Sequence, residues 1–387
     1  MRVRGSPGGG AEGADTEVFV ENVERQPRFR RSRPREHPAK VGLVGLGYWG
    51  PNLLRVLTER EDVVVATICD SDPTRLSRYE RRYPGVRATN RFEDLVDDPD
   101  LDAILIATPV HTHYELASQA LAAGKHTFVE KPLAPSASEA LGLCELADEE
   151  ELALMCGHTF LYSPPVRAVK RLVETSELGD VYFITSSRVN LGLHQSDVSV
   201  VWDLGPHDFS ILLYWLDEMP ESVSAIGRDA IVNGIADVAF VDLKFPSGLI
   251  AHVEPSWLAP SKLRRTAIVG SEKMVVYEDG SPEPVKVFDH GVIYENPETF
   301  GEHHLSYRTG DIVSPKLDTV EPIAAEMEAF VASVRHGQSP PGHLELAQRV
   351  VVLAEAAEAS LENGGFPVPV EPVPGYLVGA GTGRSSA

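Results

Sequence analysis

The chain is short of cysteine, of basic charge and of long apolar runs, and each shortage closes off a class of protein. Only Cys69, Cys144 and Cys156 occur in 387 residues, with no C-x-x-C pair. Neither a disulfide framework nor a structural zinc site is therefore expected, and a reducing, cytoplasmic setting is. No run of about 18 apolar residues occurs, so no segment is expected to span a membrane. Acidic residues outnumber basic ones by 57 to 35, for a net charge of -22. That surplus argues against nucleic acid as the main partner, because phosphate binding needs a basic surface. With 43% hydrophobic and 24% charged residues, the chain is instead long and ordinary enough for two globular domains with sizeable cores.

Residues 1–38 differ in composition from the rest. A Gly-rich start is followed by six arginines between Arg25 and Arg35, with almost no apolar periodicity. This reads as a disordered basic arm. A secretory signal would need an apolar core of about 7 to 15 residues, which is missing; an anchoring or assembly role for the arm stays open. Residues 1–40 carry nine basic against six acidic residues, a net of +3, so the rest of the chain carries -25. Residues 371–387, rich in Gly, Pro and Ser, read as a flexible tail.

Residues 39–160 alternate β-branched runs with amphipathic segments. The predicted strands are Lys40 to Val44, Val63 to Cys69, Ala103 to Ala107, Thr127 to Val129 and Leu152 to Cys156. Helices are predicted over Asn52 to Arg60, Pro73 to Arg82, Tyr114 to Ala123 and Ser138 to Glu150. That alternation implies βαβ crossovers and a parallel sheet, an α/β Rossmann-type domain. Residues 161–370 read differently: a helix near Val166 to Thr175, then strands suited to an antiparallel sheet, interrupted by an apolar helix at Phe209 to Leu216. Helices at about 322–363 close this α+β second domain. Its alternating strands leave one sheet face apolar enough to need covering.

Gly45-Leu46-Gly47-Tyr48-Trp49-Gly50 is a G-x-G-x-x-G between a predicted strand and a predicted helix. Gly45 permits the tight turn, Gly47 lets the backbone approach a pyrophosphate, and Gly50 lets helix and strand pack closely. The anion would rest on the helix N-terminus. Asp70, at the end of the next strand and 20 residues beyond Gly50, stands where an acidic side chain meets the adenosine ribose diol. The bland alternative is a tight turn with Asp70 capping a loop. Asp70 followed by Ser71 offers no cation to a 2′-phosphate, so NAD is expected over NADP, with Arg75 able to soften the preference.

Thr108 and Pro109 follow the fourth strand, His113 opens the next helix, and Glu130-Lys131-Pro132 follows the fifth strand. Ligands bind at the carboxyl edge of such sheets, so these loops should converge on the nicotinamide. Lys131 there could stabilise a developing alkoxide, or be a surface lysine paired with Glu130.

With both motifs in this order, about 330 residues from Ala39 to Val370 resemble the glucose-fructose oxidoreductase, inositol dehydrogenase and rhizopine catabolism (Gfo/Idh/MocA) family. The resemblance implies a Rossmann domain followed by a domain on an open antiparallel sheet whose exposed face makes oligomer contacts, hence a homo-oligomer. It also implies an NAD(P)-dependent dehydrogenase acting on CH–OH groups. The family's Asp-x-x-x-His reads here Asp203-Leu204-Gly205-Pro206-His207, with Pro206 expected in a helix first turn. By resemblance Lys131, Asp203 and His207 form the catalytic set, His207 moving a proton near its ordinary pKa of about 6.5. The sequence departs from the family around this motif: Ser199-Val200-Val201-Trp202 replaces a glycine run, and the +3 position after the histidine is Ser210, with Asp208 at +1. Asp203 and His207 on one turn are too few ligands for a metal, and none is expected.

Gly157 to Tyr162 and Asn190 to Leu193 are similar to the nucleotide-sugar dehydrogenase branch, making a sugar or nucleotide sugar the expected substrate. Tyr162, Asn190, His194 and Gln195 are candidates to bind its hydroxyls or stack on its ring. The alternatives are an inositol or free-sugar dehydrogenase, an NAD-dependent glycoside-cleaving enzyme, and a non-catalytic NAD-binding regulator.

Overall fold

The computed structural model describes residues 37–192, 195, 198–295 and 304–371. The basic arm, save for His37 and Pro38, and the tail beyond Glu371 lie outside these residues, as does His194. Among the described residues no helix is long and apolar enough to cross a membrane, and no cluster of side chains could hold a metal.

The first half runs β1 Ala39–Val44, α1 Gly50–Thr58, β2 Val63–Cys69, α2 Pro73–Arg82, β3 Arg87–Thr89, α3 Glu93–Val96, β4 Ala103–Ile106, α4 His113–Ala122, β5 His126–Glu130, α5 Ala137–Glu149 and β6 Leu154–Gly157. Its six strands pair in the order β3-β2-β1-β4-β5-β6, every pair parallel. The strand order reverses between β1 and β4, and the crevice outside the carboxyl ends of these strands is where such sheets bind ligands. The central strands are apolar on both faces, as helices on both sides require: β4, Ala-Ile-Leu-Ile, is buried throughout.

The second half runs α6 Pro164–Glu174, β7 Val181–Val189, α7 Val200–Leu216, β8 Ser222–Arg228, β9 Val238–Lys244, β10 Ile250–Ser256, β11 Leu263–Gly270, β12 Met274–Glu278, β13 Val285–Glu295, β14 His304–Val313, α8 Pro322–His336, α9 His343–Glu362 and β15 Val368–Pro369. Nine strands form one sheet, β14-β13-β12-β11-β7-β10-β9-β8-β15, antiparallel except where β7 meets β10. Along β7 the side chains Ile184, Ser186 and Arg188 point inward and are buried, as period-two alternation demands. The inner face packs on α6, α7 and the C-terminal part of α9. The outer face lies open and carries Phe183, Ile226, Phe240 and Ile250, all exposed.

Two features differ from the sequence reading. Helix α7 begins at Val200 and not near Phe209, so Pro206 lies inside it instead of in its first turn. The β-branched Val200-Val201 argues locally against helix, but both residues are fully buried in the second core, and that packing prevails. Helix α8 turns back to the first half: Ile323, Met327, Phe330, Val331 and Val334 share a core with Val41, Leu43, Leu54 and Phe128. Helix α9 bridges both halves, with Leu344, Ala347 and Val351 in the core behind β4 and β5 and Val350, Leu353, Ala354 and Ala357 in the core of the second sheet.

Candidate active site

The phosphate turn is built as its glycines require. Gly45 has φ of +90°, and a Cβ there would stand 2.4 Å from the Ala107 carbonyl oxygen. A Cβ on Gly50 would stand 1.9 Å from the Gly45 carbonyl oxygen. Beside Gly47 the only neighbour within reach among the described residues is Arg75 Nη1 at 4.0 Å, which leaves the backbone open on the side a pyrophosphate would pass. Helix α1 then begins with no capping side chain and no acid in its first turn, so its N–H groups and dipole face that opening unopposed. Tyr48 is exposed, and the Trp49 ring stacks beside it with centroids 6.4 Å apart.

Asp70 ties the turn to the end of β2. Its Oδ2 accepts from the Leu46 N–H at 2.6 Å and its Oδ1 from the Asp72 N–H at 2.8 Å, while Arg75 Nη1 lies 3.6 Å from Oδ2. Ser71 next to it is exposed. A carboxylate anchored this way beside the glycine turn, with an open cradle over Gly47, fits a dinucleotide. The turn and α1 would hold the pyrophosphate and Asp70 the ribose.

The β4 loop and the Glu130-Lys131-Pro132 loop are lashed together by His113. Its Nδ1 lies 2.8 Å from the Pro132 carbonyl and its Nε2 2.9 Å from the Thr108 carbonyl. The ring is buried and its pKa is lowered by that burial, so His113 shapes the loops from behind. The Thr108 hydroxyl meets that of Thr112 at 2.6 Å, and Pro109 is exposed at the rim. Glu130 is buried against Gly157, where a Cβ would come within 2.8 Å of its Oε2. Burial pushes its carboxyl up to about 8 despite the opposing Lys131 charge.

Lys131 reaches across to the second domain. Its Nζ donates to the Asp203 backbone carbonyl at 2.7 Å and lies 3.3 Å from Asp203 Oδ1. Asp203 Oδ2 in turn accepts from the Trp257 indole N–H at 3.0 Å, so both carboxylate oxygens are engaged. His207 is one helical turn further along α7, on the same face. Burial, and after it the charges of Lys131, Arg188, Arg264 and His158, hold its pKa well below the usual imidazole range. The structure thus brings together the three residues that the sequence motifs singled out.

Among the sugar-binding candidates the outcome is different. Tyr162 does not face the cleft: its ring is buried among the first core, under the Arg167 guanidinium at 5.2 Å, because the turn Thr159–Tyr162 ends with that side chain directed inward. Asn190, at the end of β7, holds the β10 end through its backbone, its N–H donating to the Ser256 carbonyl at 3.1 Å. Gln195 is exposed. Sequence reasoning missed Trp257, Phe160, Arg188 and Arg264. An arginine at an inward parity of β7, among Ile184 and Ser186, is the one signal that was available.

Comparison with known proteins bears on the family and the fold. Residues 39–158 match the oxidoreductase family with an NAD-binding Rossmann fold, and residues 166–276 match the GFO/IDH/MocA C-terminal domain. The chain is 25% identical over 334 residues to the myo-inositol 2-dehydrogenase of Thermotoga maritima, covering 84% of this chain and 96% of that protein. It is 25% identical over 336 residues to the inositol 2-dehydrogenase of Rhizobium meliloti, covering 83% and 96%. GenD2 from gentamicin A biosynthesis, solved in complex with NAD, superposes with a TM-score of 0.73 at 24% identity over 89% of this chain and 99% of that one.

Proposed function

Because the chain belongs to the Gfo/Idh/MocA family of NAD-binding oxidoreductases, we propose that it oxidises a ring CH–OH group of a cyclic polyol or sugar, and reduces the corresponding ketone in reverse. The observation that carries this reading is Lys131, whose ammonium is held by Asp203 from the other domain within one helical turn of His207. NAD, when bound, supplies the acceptor for the hydride. In oxidation the Lys131 ammonium donates a hydrogen bond to the substrate oxygen and stabilises negative charge building there, an effect strengthened in a water-poor cleft. His207 accepts the hydroxyl proton; its unprotonated state near neutral pH suits it to that role. Asp203, locked by the Trp257 indole, keeps the ammonium aimed and balances its charge. In reduction Lys131 polarises the carbonyl and the proton returns from His207.

The likeness to inositol dehydrogenases supports a free polyol ahead of a nucleotide sugar as substrate. Among the described residues Lys131, Arg188 and Arg264 each face a carboxylate, which favours a substrate without a diphosphate. The open outer face of the second sheet, with Phe183 beside Ile250 and Phe240 beside Ile226, supports pairing with a second copy of the chain. The test is incubation of the purified protein with NAD and a panel of inositols, free sugars and nucleotide sugars, following reduced cofactor by absorbance. Turnover on an inositol or free sugar is expected. Bound NAD with no turnover on any of the panel would refute the reading and favour a sensor, and cleavage of a glycoside without net reduced cofactor would refute it differently.

A further inference from the structure

Behind His207 stands an arrangement that the proposed chemistry does not require. Arg188 on β7 and Arg264 on β11 lie directly opposite each other across an antiparallel pair, a placement in which like charges repel. Both guanidinium groups rest on one ring, that of Phe160, at 4.7 and 5.7 Å from its centroid. The same ring meets His207 edge to face, 5.2 Å between centroids at 79°. Each arginine has its own carboxylate. Arg188 Nε donates to Asp208 Oδ2 at 2.5 Å in a pair that is almost wholly buried, and Arg264 Nη1 donates to Asp279 Oδ2 at 2.8 Å in a half-buried one. Asp208 is the residue after His207, and its Oδ1 also accepts from the Ser186 hydroxyl at 2.8 Å, which in turn meets Thr266. Two strands, the turn at Phe160 and helix α7 therefore converge on the imidazole.

Such a cluster is costly to build. A buried ion pair gains little over an apolar pair of the same shape, and a second arginine opposite the first adds repulsion. Core packing alone would be served by leucines at these inward positions. What the arginines supply that leucines cannot is a fixed field and a stacked platform at one histidine.

We propose that Arg188, backed by Arg264 and acting through Phe160, is a positioning residue that orients the His207 ring and keeps it a proton acceptor. The proposal rests on the reading of His207 as the group that takes the substrate proton. The charged and titratable groups acting on that ring are Lys131 from the β5 loop, His158 from the β6 loop, Arg188 from β7 and Arg264 from β11, while Asp203 and Asp208 on α7 itself are paired with Lys131 and Arg188. Cations predominate among those that shift it, and all of them disfavour the imidazolium. A proton accepted by His207 is therefore held only briefly, and the ring returns to its accepting form for the next turnover. The Asp208 that departs from the family pattern has its explanation here: it anchors Arg188.

The test is an NMR titration of the full-length protein labelled at histidine Cε1, with the His207 signal identified by its loss in His207→Gln. In the wild type the His207 midpoint should fall well below the ordinary imidazole value. Arg188→Gln should raise it by about one pH unit or more, a tenfold change in protonation, and Arg188→Lys should restore at least about half of that shift. Should Arg188→Gln fail to fold by circular dichroism, Arg264→Gln, whose partner pair is half-exposed, carries the test and should move the midpoint upward as well. A midpoint within about 0.2 pH units of wild type in a folded variant overturns the proposal. The titration needs no substrate, so a shift without turnover on the panel defeats the functional reading alone, and turnover without a shift defeats this one alone.

Discussion

Replacing Asp70 by asparagine removes one negative charge and keeps an acceptor oxygen at nearly the same place. In the wild type that carboxylate accepts from the Leu46 and Asp72 N–H groups at 2.6 and 2.8 Å and keeps Arg75 within 3.6 Å. Hydrogen bonds to a charged acceptor contribute about 1.5 to 3 kcal/mol, against roughly 1 for neutral ones. A ribose diol held by the neutral amide should therefore lose about 0.5 to 2 kcal/mol, roughly a two- to thirtyfold rise in the Kd for NAD. NADP should move the other way. Its 2′-phosphate no longer meets a carboxylate, and the Arg75 guanidinium is released to face it. The ratio of the two affinities should thus change by about tenfold or more. Calorimetric titration of one preparation with each cofactor, at fixed ionic strength, measures this without any substrate. A ratio that moves by less than about threefold would refute the argument, because the ribose would then be recognised by groups other than Asp70.

Lys131→Met should leave the Kd for NAD within about twofold of wild type and lower kcat by at least about a hundredfold, the scale of a lost acid/base or oxyanion contact; an unchanged kcat on the preferred substrate would remove Lys131 from the chemistry. Glu326 is fully buried on α8, with one oxygen accepting from the Thr159 hydroxyl at 2.7 Å, and burial followed by the neighbouring Glu130 charge raises its pKa well above the ordinary value of 4.5. The unfolded chain releases that proton above pH 4.5 while the folded chain retains it, so the wild type loses stability as pH rises through this window. Glu326→Gln, already neutral, should melt higher than wild type by a margin that grows from pH 5 to pH 8; a margin that shrinks would contradict the assignment. Phe240→Glu combined with Ile250→Glu should reduce the mass in light scattering to that of a single chain, and an unchanged mass would place any pairing surface elsewhere.

How much of this was legible in the sequence depended on whether local pattern and tertiary packing agreed. They agree in β2 and α2, whose limits are those the residue pattern predicts. They disagree at Val200-Val201, where β-branched residues form the first turn of α7 because both are buried. Strands β13 and β14 carry Asp289, His290, Gly291 and Gly310 within them and lack a clean alternation, so nothing marked them. The Gly45 turn, Asp70, Lys131, Asp203 and His207 stood out because phosphate binding and proton transfer, the roles proposed for them, demand particular residues at particular spacings. Trp257 and Phe160 touch those residues, and Arg188 touches Phe160, from distant positions that obey no spacing. Tyr162 misled for the opposite reason: an aromatic residue close to a motif looks like a ligand contact, and only the packing of α8 shows that it is core.

Helix α8 also sets a schedule for making the protein. The last strand of the first sheet ends at Gly157, but the core beneath that sheet is completed by Phe330, Val331 and Val334, which emerge from the ribosome almost 180 residues later. At cellular synthesis rates the delay is roughly 9 to 36 s. Throughout it Leu54, Phe128 and Met155 present an uncovered apolar surface, while the intervening second sheet is still being made. The nucleotide-binding half is thus first in sequence and among the last parts to be finished. A fragment ending after β6 would carry every residue proposed to bind the cofactor and still lack one wall of the core that holds them.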